Sequence, residues 1–194
     1  MNTYLSSSII FHNEKITTKL QETFGDMEIP VMMDWEDSLM SASAAYVTQN
    51  GGDILEIGFG MGISAGYMHS HSIDSHTIVE NHPDIIPKAV EWASSKSNVT
   101  IISQSWYDVK DSLGTFDGVF YDTFEDENYK DFSSSLSTWT KSGTKVTFWN
   151  DDNGESNNHQ IQTSYQQINI TPPNSASVYF RSGDTIYYMP IKEF

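Results

Sequence analysis

Cysteine is absent from the 194 residues, which excludes disulfides and thiolate metal ligation and leaves the redox compartment unmarked. Positive charge is also scarce: ten Lys and Arg stand against 26 Asp and Glu, a formal net charge of −16. A field of that sign repels phosphate backbones and anionic lipid, so nucleic acid and membrane surfaces are poor partners and small cations are better ones. Such a surplus of acid also serves solubility alone. No run of 18 or more apolar residues is present, and the opening MNTYLSSSIIFHNEK lacks the basic head and longer apolar stretch of a signal peptide. A cytoplasmic protein is therefore expected. His69, His71, His76, His82 and His159 show no ligand spacing of the HExxH kind, and no metal site is expected.

What the chain does contain is an alternation of short β-type apolar runs with helical patterns. The runs are DILEI (53–57), HTIVE (76–80), VTII (99–102), FDGVFYD (116–122) and TKVTFWN (144–150). Between them lie predicted helices at 63–69, 84–96, 106–113 and 125–140, and a further helix at 34–47 with acids in its first turn. A weaker helix is predicted over 14–24. Strands separated in this way imply a parallel sheet covered on both faces. The polar run NDDNGESNNHQIQ (150–162) reads as a loop, and VYFR with TIYYMPI around Ser182-Gly183-Asp184 reads as a closing antiparallel hairpin. The expected fold is α/β: a Rossmann-like sheet of the class I methyltransferase order, mostly parallel with a C-terminal antiparallel hairpin.

The most informative turn is Glu56-Ile-Gly58-Phe59-Gly60-Met61-Gly62, which follows a strand and opens a helix. Glycines there allow close backbone approach, and the helix start offers unpaired N–H groups. The dinucleotide fingerprint needs its third glycine three positions after the second, a place held here by Ile63. The E-x-G-x-G-x-G spacing is instead that of S-adenosylmethionine enzymes. Glu80, at the end of the second run, can accept ribose hydroxyl hydrogen bonds.

Asp122 ends the fourth run, where ligands of open α/β sheets sit outside the strand termini. Its two readings are a cap for the following helix and a carboxylate that pairs with a cationic nitrogen. Glu36 reads on its own as a solvated acid of a first helical turn, and Asp151 and Asp152 as solvated acids of a loop. Trp35 and Trp106 divide evenly between core residues and covers of an adenine.

Taken together, four blocks are similar to the guanidinoacetate N-methyltransferases and the related arginine N-methyltransferases. They are VMMDWEDSLM (31–40), GGDILEIGFGMG (51–62), FDGVFYDTF (116–124) and YYMP (187–190), with the similarity running from about Pro30 to Lys145 and resuming in the last strand. The resemblance implies an S-adenosylmethionine-dependent methyltransferase of a small guanidino or amino compound. Met32, Gly58, Phe59, Gly60, Met61, Gly62 and Ile63 would line the cofactor site. Glu80 would hold the ribose with Asn81 beside it, and Ser105 and Trp106 would flank the adenine. Glu36 and Asp122 would be the acids that bind and activate the guanidinium, with Asp151 and Asp152 replacing a family loop that grips the substrate. Residues 1–30 would form a lid and 31–194 the catalytic domain. The region after the fifth run is shorter than in the family, which keeps other uses of the pocket open: a different transferase, a lyase acting on S-adenosylmethionine, or a binder without turnover.

Overall fold

The computed structural model describes residues 3–20, 23, 25–150, 154–174 and 183–194. A small antiparallel sheet comes first, in the order β1 (Ile10–Phe11), β2 (Lys15–Thr18) and β3 (Ile29–Met33). The helix predicted over 14–24 is therefore wrong in its first part. Ile16, Thr17 and Thr18 are β-branched, lose rotamer freedom in a helix, and are buried between two partner strands instead.

A 3-10 turn at Asp34–Glu36 then leads into α1 (Asp37–Val47). Five parallel strands follow: β4 (Asp53–Ile57), β5 (Ser75–Val79), β6 (Val99–Ile102), β7 (Phe116–Tyr121) and β8 (Thr140–Phe148). They alternate with α2 (Ile63–Ser70), α3 (Ile86–Ala93), α4 (Trp106–Val109) and α5 (Phe132–Trp139). β9 (Ser164–Asn169) and β10 (Ile186–Glu193) close the sheet as an antiparallel hairpin, giving the order β6-β5-β4-β7-β8-β10-β9. The expected mostly parallel sheet with a C-terminal antiparallel hairpin is present. Of the two runs expected to form that hairpin, TIYYMPI falls largely in β10, VYFR lies outside the described residues, and the partner found for β10 is β9, which no sequence pattern announced.

Period-2 alternation divides the core between the two faces of the sheet. Ile54, Ile78 and Phe120 pack with α1, α2 and the apolar residues of the small sheet. Leu55, Ile57, Val79, Val119, Tyr121, Val146 and Phe148 pack with Trp106 and the α5 residues Phe132, Leu136 and Trp139.

Three predicted helices are shorter than expected: the one over 84–96 is helical only over Ile86–Ala93, and the other two end for local reasons. α4 stops after one turn, and the Lys110 carbonyl accepts from the Trp139 indole at 2.8 Å instead of extending the helix. Residues 125–128 are not helical: Glu125 has φ 50, and Asp126 Oδ1 accepts from Asn128 N at 2.8 Å, a side-chain turn that competes with helix formation. No helix among the described residues is long and apolar enough to cross a membrane.

Candidate active site

The parallel order reverses between β4 and β7, and crevices form beyond the carboxyl ends of strands at such a switch point. The glycine turn leaves β4 there and residues 122–128 leave β7. Gly58, Gly60 and Gly62 all have positive φ, at 93, 54 and 74°. At Gly58 an added Cβ would lie 1.8 Å from the Asp122 carbonyl oxygen. The absent side chain thus admits the neighbouring strand end first, a requirement of the chain itself that exists before any ligand arrives.

Beneath the turn, Glu56 is fully buried, takes a short hydrogen bond from the Ser64 hydroxyl in the first turn of α2, and lies 2.9 Å from His76 Nε2. The contact to His76 is close but poorly aligned for a hydrogen bond. This group ties the glycine turn, α2 and β5 together. In the sequence Glu56 figures only as the first member of the E-x-G-x-G-x-G spacing, without a role of its own, although a carboxylate inside the apolar run DILEI is a signal of a buried polar contact.

Glu80 is 6 % exposed. Its Oε2 accepts from Phe59 N at 2.9 Å and its Oε1 from Asn81 N and His82 N, each at 2.8 Å. Of the roughly four lone-pair positions of a carboxylate, three are filled, and the remaining one is on Oε2. His82 Nδ1 accepts from Asp84 N, so Nε2 carries the proton and donates to the Tyr4 carbonyl at 3.1 Å. The Tyr4 ring packs against His82 and Phe124. Burial, and then the charges of Glu80 and Asp84, push the Tyr4 hydroxyl far above its usual pKa.

Around these groups runs a cleft with about 960 Å³ of empty space, counting its open mouth. Met32, Gly58, Phe59, Gly60, Glu80, Asn81, Ser105, Trp106 and Asp122 all contribute to its walls. Met61, Gly62 and Ile63 are not among its lining residues; they form the turn and helix start behind it. Trp106 is mainly a core residue, 3 % exposed, with edge-on contacts to Tyr121 and Trp139. Ser105 caps α4, its Oγ accepting from Tyr107 N at 3.3 Å.

A second cavity, of about 1270 Å³ counted in the same way, shares Val31 and residues 122–127 with the first. Glu36 and Asp122 both line it. Glu36 is 3 % exposed, and its Oε1 accepts from Met33 N at 2.8 Å, which fixes the turn from β3 into α1. The helix that Asp122 was offered as capping does not form, since residues 122–128 are irregular.

Asp126 organises this loop. Its Oδ2 accepts from Trp106 Nε1 at 2.6 Å, from Thr123 Oγ1 at 3.5 Å and from the Tyr121 hydroxyl. Burial, followed by the Asp126 charge, raises the Tyr121 pKa well beyond the ordinary phenol value. Asp126 was hidden in the sequence by the mistaken helix. Asp151 and Asp152 lie outside the described residues. No group of three or more His, Asp or Glu able to hold a metal occurs among the described residues.

The cleft fits an adenosyl ligand. A buried carboxylate retains one acceptor position at its edge, and the first turn of α2 has no side-chain cap.

The profile of the guanidinoacetate N-methyltransferase family matches residues 12–148. Protein arginine N-methyltransferase 2 of Aspergillus fumigatus is 36% identical over 141 residues, covering 69% of this chain and 31% of its own length. The Saccharomyces cerevisiae protein of the same name is 32% identical over 139 residues, covering 66% and 32%. The chain thus spans about a third of the length of these relatives. Among solved structures, the N-methyltransferase NodS from Bradyrhizobium japonicum WM9 superimposes with a TM-score of 0.58 at 11% identity, covering 82% of this chain and 97% of that one. At that identity the likeness shows the fold alone.

Proposed function

The chain belongs to the guanidinoacetate N-methyltransferase family, and from that premise we propose that it transfers a methyl group from S-adenosylmethionine to a guanidinium nitrogen of a small cationic compound. The observation that carries this reading is the meeting of Glu36 and Asp122. They come from the α1 entrance and the end of β7, and they line one chamber that shares Asp122 with the cleft beside Glu80.

S-adenosylmethionine, when bound, supplies a methyl group already activated by its sulfonium charge. Glu80 would hold a ribose hydroxyl on the open position of Oε2. Asn81, Ser105 and the edge of Trp106 that borders the cleft would flank the adenine, while Met32 and Phe59 would exclude water on the apolar side. Tyr4 and Leu5 line the same cleft, in keeping with a covering role for residues 1–30 beside a catalytic unit of residues 31–194.

A protonated guanidinium has no lone pair to offer. Glu36 and Asp122 would hold it through paired N–H···O bonds and draw its charge onto the nitrogens they contact, leaving the third nitrogen toward the cleft. Asp122, on the boundary of both cavities, would take the proton that this nitrogen loses as it is methylated. Orientation and fixed charge then supply most of the rate.

The names of the curated relatives favour a second reading, in which the guanidinium belongs to an arginine of a protein. Calorimetric titration separates binding from turnover. S-adenosylhomocysteine is expected to bind wild type and Asp122→Asn alike, with methylation lost only in the variant. Binding of NAD in its place would contradict the reading.

A further inference from the structure

We propose that His82 is a positioning residue through which an adenosyl ligand on Glu80 and the segment of residues 3–20 stabilise each other. This rests on the reading of Glu80 as the seat of the ribose. His82 is fully buried, and its backbone N–H and its two ring nitrogens each meet a different neighbour. The backbone N–H donates to Glu80 Oε1 at 2.8 Å. Nδ1 accepts from Asp84 N at 3.2 Å, and Nε2 donates to the Tyr4 carbonyl at 3.1 Å.

Two attachments of the N-terminal segment to the loop after β5 pass through that ring. One is the Tyr4 carbonyl itself, with the Tyr4 ring centred 4.6 Å from the imidazole and 5.0 Å from the Phe124 ring. The other is Ile9 N, which donates to Asp84 Oδ2 at 2.9 Å, while the Asp84 backbone is itself held by His82 Nδ1. Tyr4 and Leu5 line the cleft, where a ligand can touch them directly, but Ile9 does not. A ligand reaches Ile9 through Glu80, His82 and Asp84. The two oxygens of a carboxylate move as one rigid group, so a hydroxyl bound at Glu80 Oε2 also fixes Oε1 against His82 N. Burial keeps the next links in place, because a ring nitrogen that lost its partner would stand unpaired away from water. Coupling of this kind is mutual: the docked segment tightens the ligand by the factor by which the ligand holds the segment.

The test is hydrogen exchange at the Ile9 amide of the full chain, read by NMR at saturation with S-adenosylhomocysteine, adenosine or adenine. The first two are expected to slow exchange about fivefold or more, the lower end for coupled sites. Adenine, which lacks the ribose hydroxyls, is expected to leave it unchanged. His82→Ala should lose the slowing and bind S-adenosylhomocysteine about fivefold more weakly by calorimetry. In His82→Gln, whose amide N–H reaches the place of Nε2, part of both effects should return. Slowing by adenine equal to that by adenosine overturns the proposal, and this comparison in the unsubstituted chain decides the matter even if His82→Ala does not fold. Slowing undiminished in His82→Ala, or none in the unsubstituted chain with S-adenosylhomocysteine bound, overturns it too and leaves the methyltransferase reading intact. Failure of S-adenosylhomocysteine and adenosine to bind at all overturns both readings.

Discussion

Replacing Gly58 by alanine tests whether the turn is shaped by the protein or by its ligand. The new Cβ would stand 1.8 Å from the Asp122 carbonyl oxygen and 3.0 Å from its carbonyl carbon. A carbon approaches such an oxygen no nearer than about 3.3 Å, so the ends of β4 and β7 would have to part by about 1.5 Å. They are tied there by the bond from Asp122 N to Ile57 O at 2.9 Å. A non-glycine residue at φ 93 costs about 1–2 kcal/mol, and forced overpacking adds about 1–3 kcal/mol. The sum is about 2–5 kcal/mol. For a chain of this size, at about 2–4 °C per kcal/mol, the midpoint of unfolding falls by about 4–20 °C. Gly114→Ala is the matched control, because φ is 85 and nothing lies within 4 Å of its Cβ. Only the backbone cost applies there, about 1–2 kcal/mol. Calorimetric unfolding of both variants without ligand measures the difference. Equal midpoints for the two, or a Gly58 variant more stable than the Gly114 one, would refute the account of the turn.

Other consequences follow from the same contacts. Glu80→Gln places an amide where one of three backbone N–H groups now finds a carboxylate oxygen, and S-adenosylhomocysteine should bind about ten- to a hundredfold more weakly by titration calorimetry. Glu56→Ala leaves the Ser64 hydroxyl buried without its acceptor and opens a cavity beneath the turn, and should cost about 2–5 kcal/mol in urea unfolding, against about 1 kcal/mol for Ser64→Ala; similar losses for the two would show that the Glu56 carboxylate acts through the Ser64 bond alone. Burial, Lys96 and His76 hold the His69 pKa below 6.5. The unfolded chain therefore takes up this proton first as pH falls, and stability should decline from about pH 6.5 downward. In His69→Gln that part of the decline should vanish, and an unchanged pH profile would remove His69 from the explanation.

Much of the fold could be read from the residues because its strands are short apolar runs with two-sided burial. DILEI, HTIVE and FDGVFYD each became a parallel strand within about one residue of the expected ends. β9 could not be read, since SYQQIN is polar and half-exposed and is held by its ladder to β10. The site divides along the same line. Gly58, Glu80 and Asp122 announced themselves by following a strand. Glu36 acquired a role only through resemblance, because its burial depends on the chain turning from β3 into α1. Asp126 escaped notice for the opposite reason: local hydrogen bonding to Asn128 and Trp106 overrode a helical pattern in residues 125–128.

The central claim is that Asp122 and Glu36 present a guanidinium to S-adenosylmethionine. It is tested most directly by mass spectrometry of guanidino acceptors incubated with the purified protein and methyl-labelled S-adenosylmethionine, beside a control without acceptor. The account predicts label on a guanidino nitrogen, with the rate reduced at least about a hundredfold in Asp122→Asn. Consumption of S-adenosylmethionine at the same rate with and without acceptor, and no label on any guanidine, would contradict it.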